Sequence, residues 1–243
     1  MNQSPLSFSR RAFSLMELIV VIAIIGVIAT YVVPQASQIL KGSVVTQAST
    51  ILTDQLRLAR EFAVTKNSKV EVRFYQYADP ESPGEVLTNP VSGQYRAMQV
   101  FQVLDVNKVM SANNGNVAGE VTVPIDKLQM LPQGVIMNPT ATYSTLLNNP
   151  NAPYIPGSSE PTGLQLPRGV GLNYNYVSFR FLQDGSTNLA PVTTIGLPPP
   201  PWFMTIHSLT DKGYLQNGMP FNFFCIELDP VVGTTKAFRP QAG

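Results

Sequence analysis

Cysteine occurs once in 243 residues, at Cys225, so no intrachain disulfide can form and any folded domain must be held by packing alone. Histidine also occurs once, at His207, and zinc-ligand spacing is absent. Charge is sparse. Lys, Arg, Asp and Glu make 13% of the chain and the formal net charge is +1, which excludes a bulk electrostatic case for nucleic-acid binding. No phosphate-binding glycine loop, dinucleotide fingerprint or nucleophile elbow occurs. His207 is expected as a polar residue on a strand. Cys225, set among aromatics in FNFFCIEL, is expected as a buried, inert thiol. The expectation is a non-enzyme without cofactor or metal.

What the chain does have is one long apolar run. Leu18–Val33 holds sixteen residues without a charge, and with Phe13–Glu17 the run is twenty-one, roughly 31 Å as a helix or one bilayer core. Arg10 and Arg11 precede it and mark that end as cytoplasmic. Glu17 stands inside the run. A carboxylate in a membrane span costs about 2.5–3.5 kcal/mol or more, so it marks a function and asks for a partner. An ordinary secretory signal has a shorter apolar core and an A-x-A-like cleavage site, and TYVVPQAS over residues 30–37 is a poor one. An uncleaved signal anchor, on a periplasmic binding protein or enzyme, fits the length but leaves Glu17, four residues after Phe13, without a reason.

A basic leader, a small residue, Phe, a short spacer, Glu and a hydrophobic helix resemble the prepilin signal of the type IV pilin and type II secretion pseudopilin superfamily. The resemblance implies a leader over 1–12, cut between Ala12 and Phe13 by a prepilin peptidase that then methylates the Phe13 amino group. Ala12 stands where the family usually has glycine. It also implies that Glu17 pairs with a neighbouring subunit's new ammonium, each offsetting the cost of burying the other. Pro34 lies where many pilins bend their helix, and a proline inside a helix removes one hydrogen bond and tilts the axis. The implied partners are the peptidase, other pilin or pseudopilin subunits and an inner-membrane assembly platform. The implied place is the bacterial inner membrane, single-pass, amino terminus cytoplasmic and C-terminal domain periplasmic, with assembly into a periplasmic or surface filament. Major pseudopilins often bind calcium near the C-terminus, yet Asp211, Glu227 and Asp229 lack a clustered loop spacing for it.

Beyond the transmembrane segment 13–33, the helix is expected to continue to residue 66. Gln35–Lys66 has no proline, and Leu40, Val44, Val45, Ala48, Ile51, Leu52, Leu56, Ala59, Phe62 and Ala63 fall on one side at helical spacing. Ser43, Thr46, Gln47, Thr50, Thr53, Asp54, Arg57, Arg60 and Glu61 fall on the other, with Lys41 and Gln55 as exceptions. Arg60 is expected as a solvated residue near the helix end. Leu52–Phe74 closely resembles the helix-to-strand passage of H-type minor pseudopilins, and so, less fully, do residues 174–240.

The fold expected is α+β: a long N-terminal helix packed on an antiparallel sheet, with a β-rich domain over 67–243. Strand signals lie at Lys69–Tyr77 (half-buried by its alternation), Tyr95–Leu104, Val121–Met130, Tyr176–Leu182, Trp202–Leu209, Phe221–Leu228 and Thr235–Phe238. Residues 138–171, rich in Asn, Pro, Ser and Gly, are expected as a long surface loop. Four prolines at 198–201 are expected as a stiff extended spacer. The function implied is a structural, minor filament subunit. A DNA-binding minor pilin is the other alternative, through a basic strip of Lys66, Lys69, Arg73 and Arg96.

Overall fold

The computed structural model describes residues 14–105, 120–148, 155–156, 165–167, 169–189, 202–211, 220 and 222–239, and of 31–41, 105 and 155–156 the backbone only. The Ala12–Phe13 bond, the proline run 198–201 and much of 138–171 lie outside the described residues. The chain falls into two compact units, Met1–Gly42 and Ser43–Gly243.

Helix α1, Leu15–Thr65, contributes to both units. It closes on Asn67, whose φ of 48° is left-handed. The Ser68 N–H reaches the Ala63 carbonyl at 3.1 Å and the Asn67 N–H reaches Val64 at 3.3 Å. This is a Schellman ending, with asparagine in place of the usual glycine.

The rest of the second unit is one antiparallel sheet. Its strands are β1 Lys69–Tyr77, β2 Gln94–Asp105, β3 Glu120–Pro124, β4 Gln129–Met130, β5 Val135–Met137, β6 Ile155–Pro156, β7 Asn175–Phe181, β8 Trp202–Ser208, β9 Phe223–Leu228 and β10 Thr235–Phe238. They run in the order β10-β9-β8-β5-β2-β1-β7-β6, with β3 and β4 also paired to β2. The α+β architecture is therefore as expected. The expected strand Val121–Met130 is instead β3 and β4, separated by a corner after Pro124. Proline ends the ladder there because it has no N–H to give. Asp126 holds the corner, accepting from the Lys127 N–H at 2.7 Å and the Gln55 side chain at 2.9 Å.

Within this unit α1 buries Val45, Ala48, Leu52, Leu56, Ala59 and Ala63 in a core with Val70, Val72 and Phe74 of β1, Met98 and Val100 of β2, and Ile206 and Ile226 of β8 and β9. Burying one such leucine contributes about 1.5–3 kcal/mol. Thr53, placed on the polar face from sequence, is buried, and its hydroxyl donates to the Ser49 carbonyl at 2.8 Å. A helical threonine can satisfy its own hydroxyl this way and so enter a core.

Strand β1 is covered on both sides, not half-buried. On the face away from α1, Tyr75 and Tyr77 join Ala97, Leu166, Val170, Tyr174 and Tyr176 in a second cluster, with the Tyr75 and Tyr174 rings edge-on at 5.3 Å. The buried Ser144, Leu146, Leu147, Leu166 and Val170 all lie within 138–171. Further along the same strand, Glu71 accepts from Arg73 at 2.6 Å and from Arg180 of β7 at 2.9 Å. The Arg73 guanidinium lies between Phe101 and Tyr176, at 4.3 and 4.7 Å from their ring centres. These charges are tolerated indoors because each is paired and stacked.

Candidate functional site

The segment that sequence singles out is the start of α1. Ser14 is its N-cap residue: the side-chain oxygen accepts the Met16 N–H at 3.3 Å and the Ser14 carbonyl accepts the Leu18 N–H at 3.1 Å. Glu17 lies three residues on, in the first turn, where the positive end of the helix dipole favours a carboxylate. Ser14-x-x-Glu17 is capping-box spacing, a local signal absent from the sequence expectation above. Only the serine half of the box is made. Among the described residues the Glu17 side chain has no hydrogen bond and no ion pair, and it is exposed.

Leu15–Thr30 is exposed on every side, from Leu15 at 78% to Val21 at 44%. So long an apolar surface needs a cover: lipid or other protein. Among the described residues no helix is long and apolar enough to cross a membrane. The stretch with described side chains, 15–30, spans about 24 Å at the helical rise, short of a bilayer core; the apolar residues expected to complete the span, 31–33, have a described backbone only. Pro34 lies within the bounds of α1, so the helix does not end there.

Residues 7–33 carry the prokaryotic N-terminal methylation motif. The N-terminal segment is thus pilin- and pseudopilin-like, and the motif contains Ala12, Phe13 and Glu17. The motif covers this segment alone. No curated protein matches the chain. Among solved structures, the minor pseudopilin EpsH from the Type 2 Secretion System of Vibrio cholerae is similar at 12% identity and a TM-score of 0.36, over 81% of this chain and 98% of that one.

The other residues singled out from sequence are placed as follows. His207 is buried on β8. Its Nδ1 faces the Ser208 carbonyl at 3.0 Å and its Nε2 faces the Asn138 amide at 3.0 Å, which fits a neutral ring donating from Nδ1. Burial holds its pKa below the ordinary value, against the opposing pull of the Ser208 carbonyl and Asp211. Cys225 is partly buried, and burial pushes its thiol up, away from thiolate chemistry. Arg60 is partly exposed near the helix end, as expected, and its Nε also donates to the Val232 carbonyl at 3.0 Å.

The basic strip does not form. Lys69 pairs with Glu120 at 2.9 Å, Arg73 with Glu71 at 2.6 Å and Arg96 with Glu85 at 2.6 Å, and the last two pairs are buried. Of the four cations only Lys66 has no acidic partner among the described residues. Asp229 is taken up by its own turn, accepting the Val231 and Val232 N–H groups at 2.9 and 3.1 Å. Among the described residues no three His, Cys, Asp or Glu side chains gather as a metal site.

Proposed function

We propose that the chain is a minor structural subunit of a type IV pilus-like or type II secretion pseudopilus filament, cut by a prepilin peptidase between Ala12 and Phe13 and methylated on the new amino group. One observation carries this: within a methylation motif, Glu17, without a partner among the described residues, opens a helix whose first apolar stretch, Leu15–Thr30, is exposed all round. Lipid covers those side chains before assembly and sister helices cover them afterwards. The carboxylate then finds its partner in the Phe13 ammonium of a neighbouring copy, which also fixes the axial register. Pro34, which has no N–H to give to the helix, bends it. The domain outside the membrane is displayed on the periplasmic side, as Arg10 and Arg11 dictate. Motor and platform lie in other chains.

The test separates charge pairing from capping. Glutamine serves a capping box as glutamate does but carries no charge. Glu17→Gln and Glu17→Ala are both expected to drop out of sheared filaments by about tenfold or more, the loss of a desolvated charge pair. Wild-type incorporation of Glu17→Gln overturns the pairing. Mass spectrometry of the mature amino terminus is expected to find N-methyl-Phe13, and an intact Met1 favours a signal-anchored protein.

A further inference from the structure

A polar cleft of about 240 Å³ opens between the last turns of α1 and the β9–β10 turn, lined by Arg57, Arg60, Glu61, Gly233, Thr234 and Thr235. Its groups are short of partners. Arg57 and Glu61 are exposed and, among the described residues, neither side chain makes a hydrogen bond or an ion pair, although they sit one helical turn apart. Arg60 spends its Nε on the Val232 carbonyl. The Thr235 hydroxyl oxygen is sealed below this surface, so the cleft meets a partner through Arg57, Arg60 and Glu61. Two guanidinium groups outweigh one carboxylate there, and the complementary group is an acid.

The candidates within the chain are few. Among the exposed described acids, Glu81, Asp184 and Asp229 bond to a side chain or to their own turns and Glu120 is ion-paired. Glu17, Glu61 and Asp54 remain without a partner. Glu17 belongs to the apolar segment and Glu61 already lines the cleft. Asp54 is exposed on the same helix, one turn before Arg57, yet does not pair with it. The exposed face therefore reads Asp54, Arg57, Glu61: negative, positive, negative. A second copy shifted along this face meets opposite charge at each step, and such complementarity fixes register between like subunits.

We propose that the cleft receives the Asp54 carboxylate of an adjoining copy, which pairs with Arg57 and sets the stagger of the domains. The contact rests on the filament reading above and adds a second, water-side register to the one at Glu17.

Charge exchange in the full-length chain, assembled in its own membranes, tests it. D54R and R57D are each expected to lower incorporation into sheared filaments by about tenfold, and D54R/R57D/E61R, which inverts every charge of the face, to restore it. In a Cys225→Ser background, co-expressed D54C and R57C copies are expected to form a disulfide dimer on mild oxidation that neither copy forms alone. If wild-type chain assembles while the triple inversion is no better than the singles, or the mixed dimer is missing, the cleft contact is overturned and the filament reading stands. If wild-type chain is absent from filaments altogether, the filament reading fails and the contact with it.

Discussion

Arg96 and Glu85 form one of two buried ion pairs among the described residues. Both side chains are only 7% exposed, and they meet through Nη1 and Nη2 at 2.6 and 2.7 Å. Arg96 reaches this position because β2 carries one extra residue against β1: Tyr75 faces Ala97 and Gln76 faces Tyr95, leaving Arg96 unpaired. A bulge of that kind re-aims a side chain, and here Arg96 also donates to the Tyr77 carbonyl and to Ser82. Arg96→Leu leaves Glu85 buried and uncompensated and is expected to cost about 3–5 kcal/mol, read by urea unfolding of Ser43–Gly243. Replacing both partners by leucine is expected to recover most of that loss. Arg96 appears in the sequence as one of four scattered cations. Nothing in its neighbours announces a bulge, since the extra residue exists only relative to a partner strand.

Among the elements, the end of α1 and two turns are locked together through glycines. Gly233 has φ +71° and its missing Cβ would lie 2.0 Å from the Gly185 carbonyl oxygen. Gly185, at φ +84°, in turn lies against Val64 and Arg60. Arg60 closes the ring on Val232. Gly233→Ala is expected to cost more than the roughly 1–2 kcal/mol of a left-handed alanine, because the turn itself must move; loss of thermal stability without loss of helix content is the signature, by circular dichroism. Leu56→Ala, at a fully buried position of the same helix, is expected to cost about 2–5 kcal/mol by chemical denaturation. The helix and most strands were legible beforehand, because periods of 3.6 and 2 are written in the apolar positions. Strands of two or three residues, β4 to β6, are too short to show a period. The second face of β1 was hidden for another reason: Leu166, Val170 and Tyr174 lie about a hundred residues away in sequence.

Across the described part of the molecule, His207, Glu120 and Asp126 are among the groups whose titration shifts on folding. His207 is held below its ordinary value of 6.5 chiefly by burial. Its neutral ring stabilises the fold fully above that value, and this contribution fades as pH falls from it toward the lowered folded pKa. Glu120 is held below 4.5 by its bonds to Lys69 and Arg180, and Asp126 below 3.8 by Gln55 and the Lys127 N–H. Both contribute above their ordinary values and lose that contribution as pH falls through their folded ones. Thermal midpoints of Ser43–Gly243 are thus expected to decline in two stages, first below about pH 6.5 and again below about pH 4.5. A His207→Gln variant, which cannot protonate, is expected to lack the first stage.

The sequence by itself determined the apolar opening of the helix, its amphipathic continuation, the motif around Ala12, Phe13 and Glu17, and the α+β class. Each of these is a local pattern in which neighbours along the chain state the chemistry. Tertiary structure decided which charges were free. Lys69, Arg73 and Arg96 found acids and ceased to be a basic surface, whereas Glu17, Asp54 and Arg57 have no partner among the described residues. Pairing depends on distances between residues far apart in sequence, and those distances exist only once the sheet has closed.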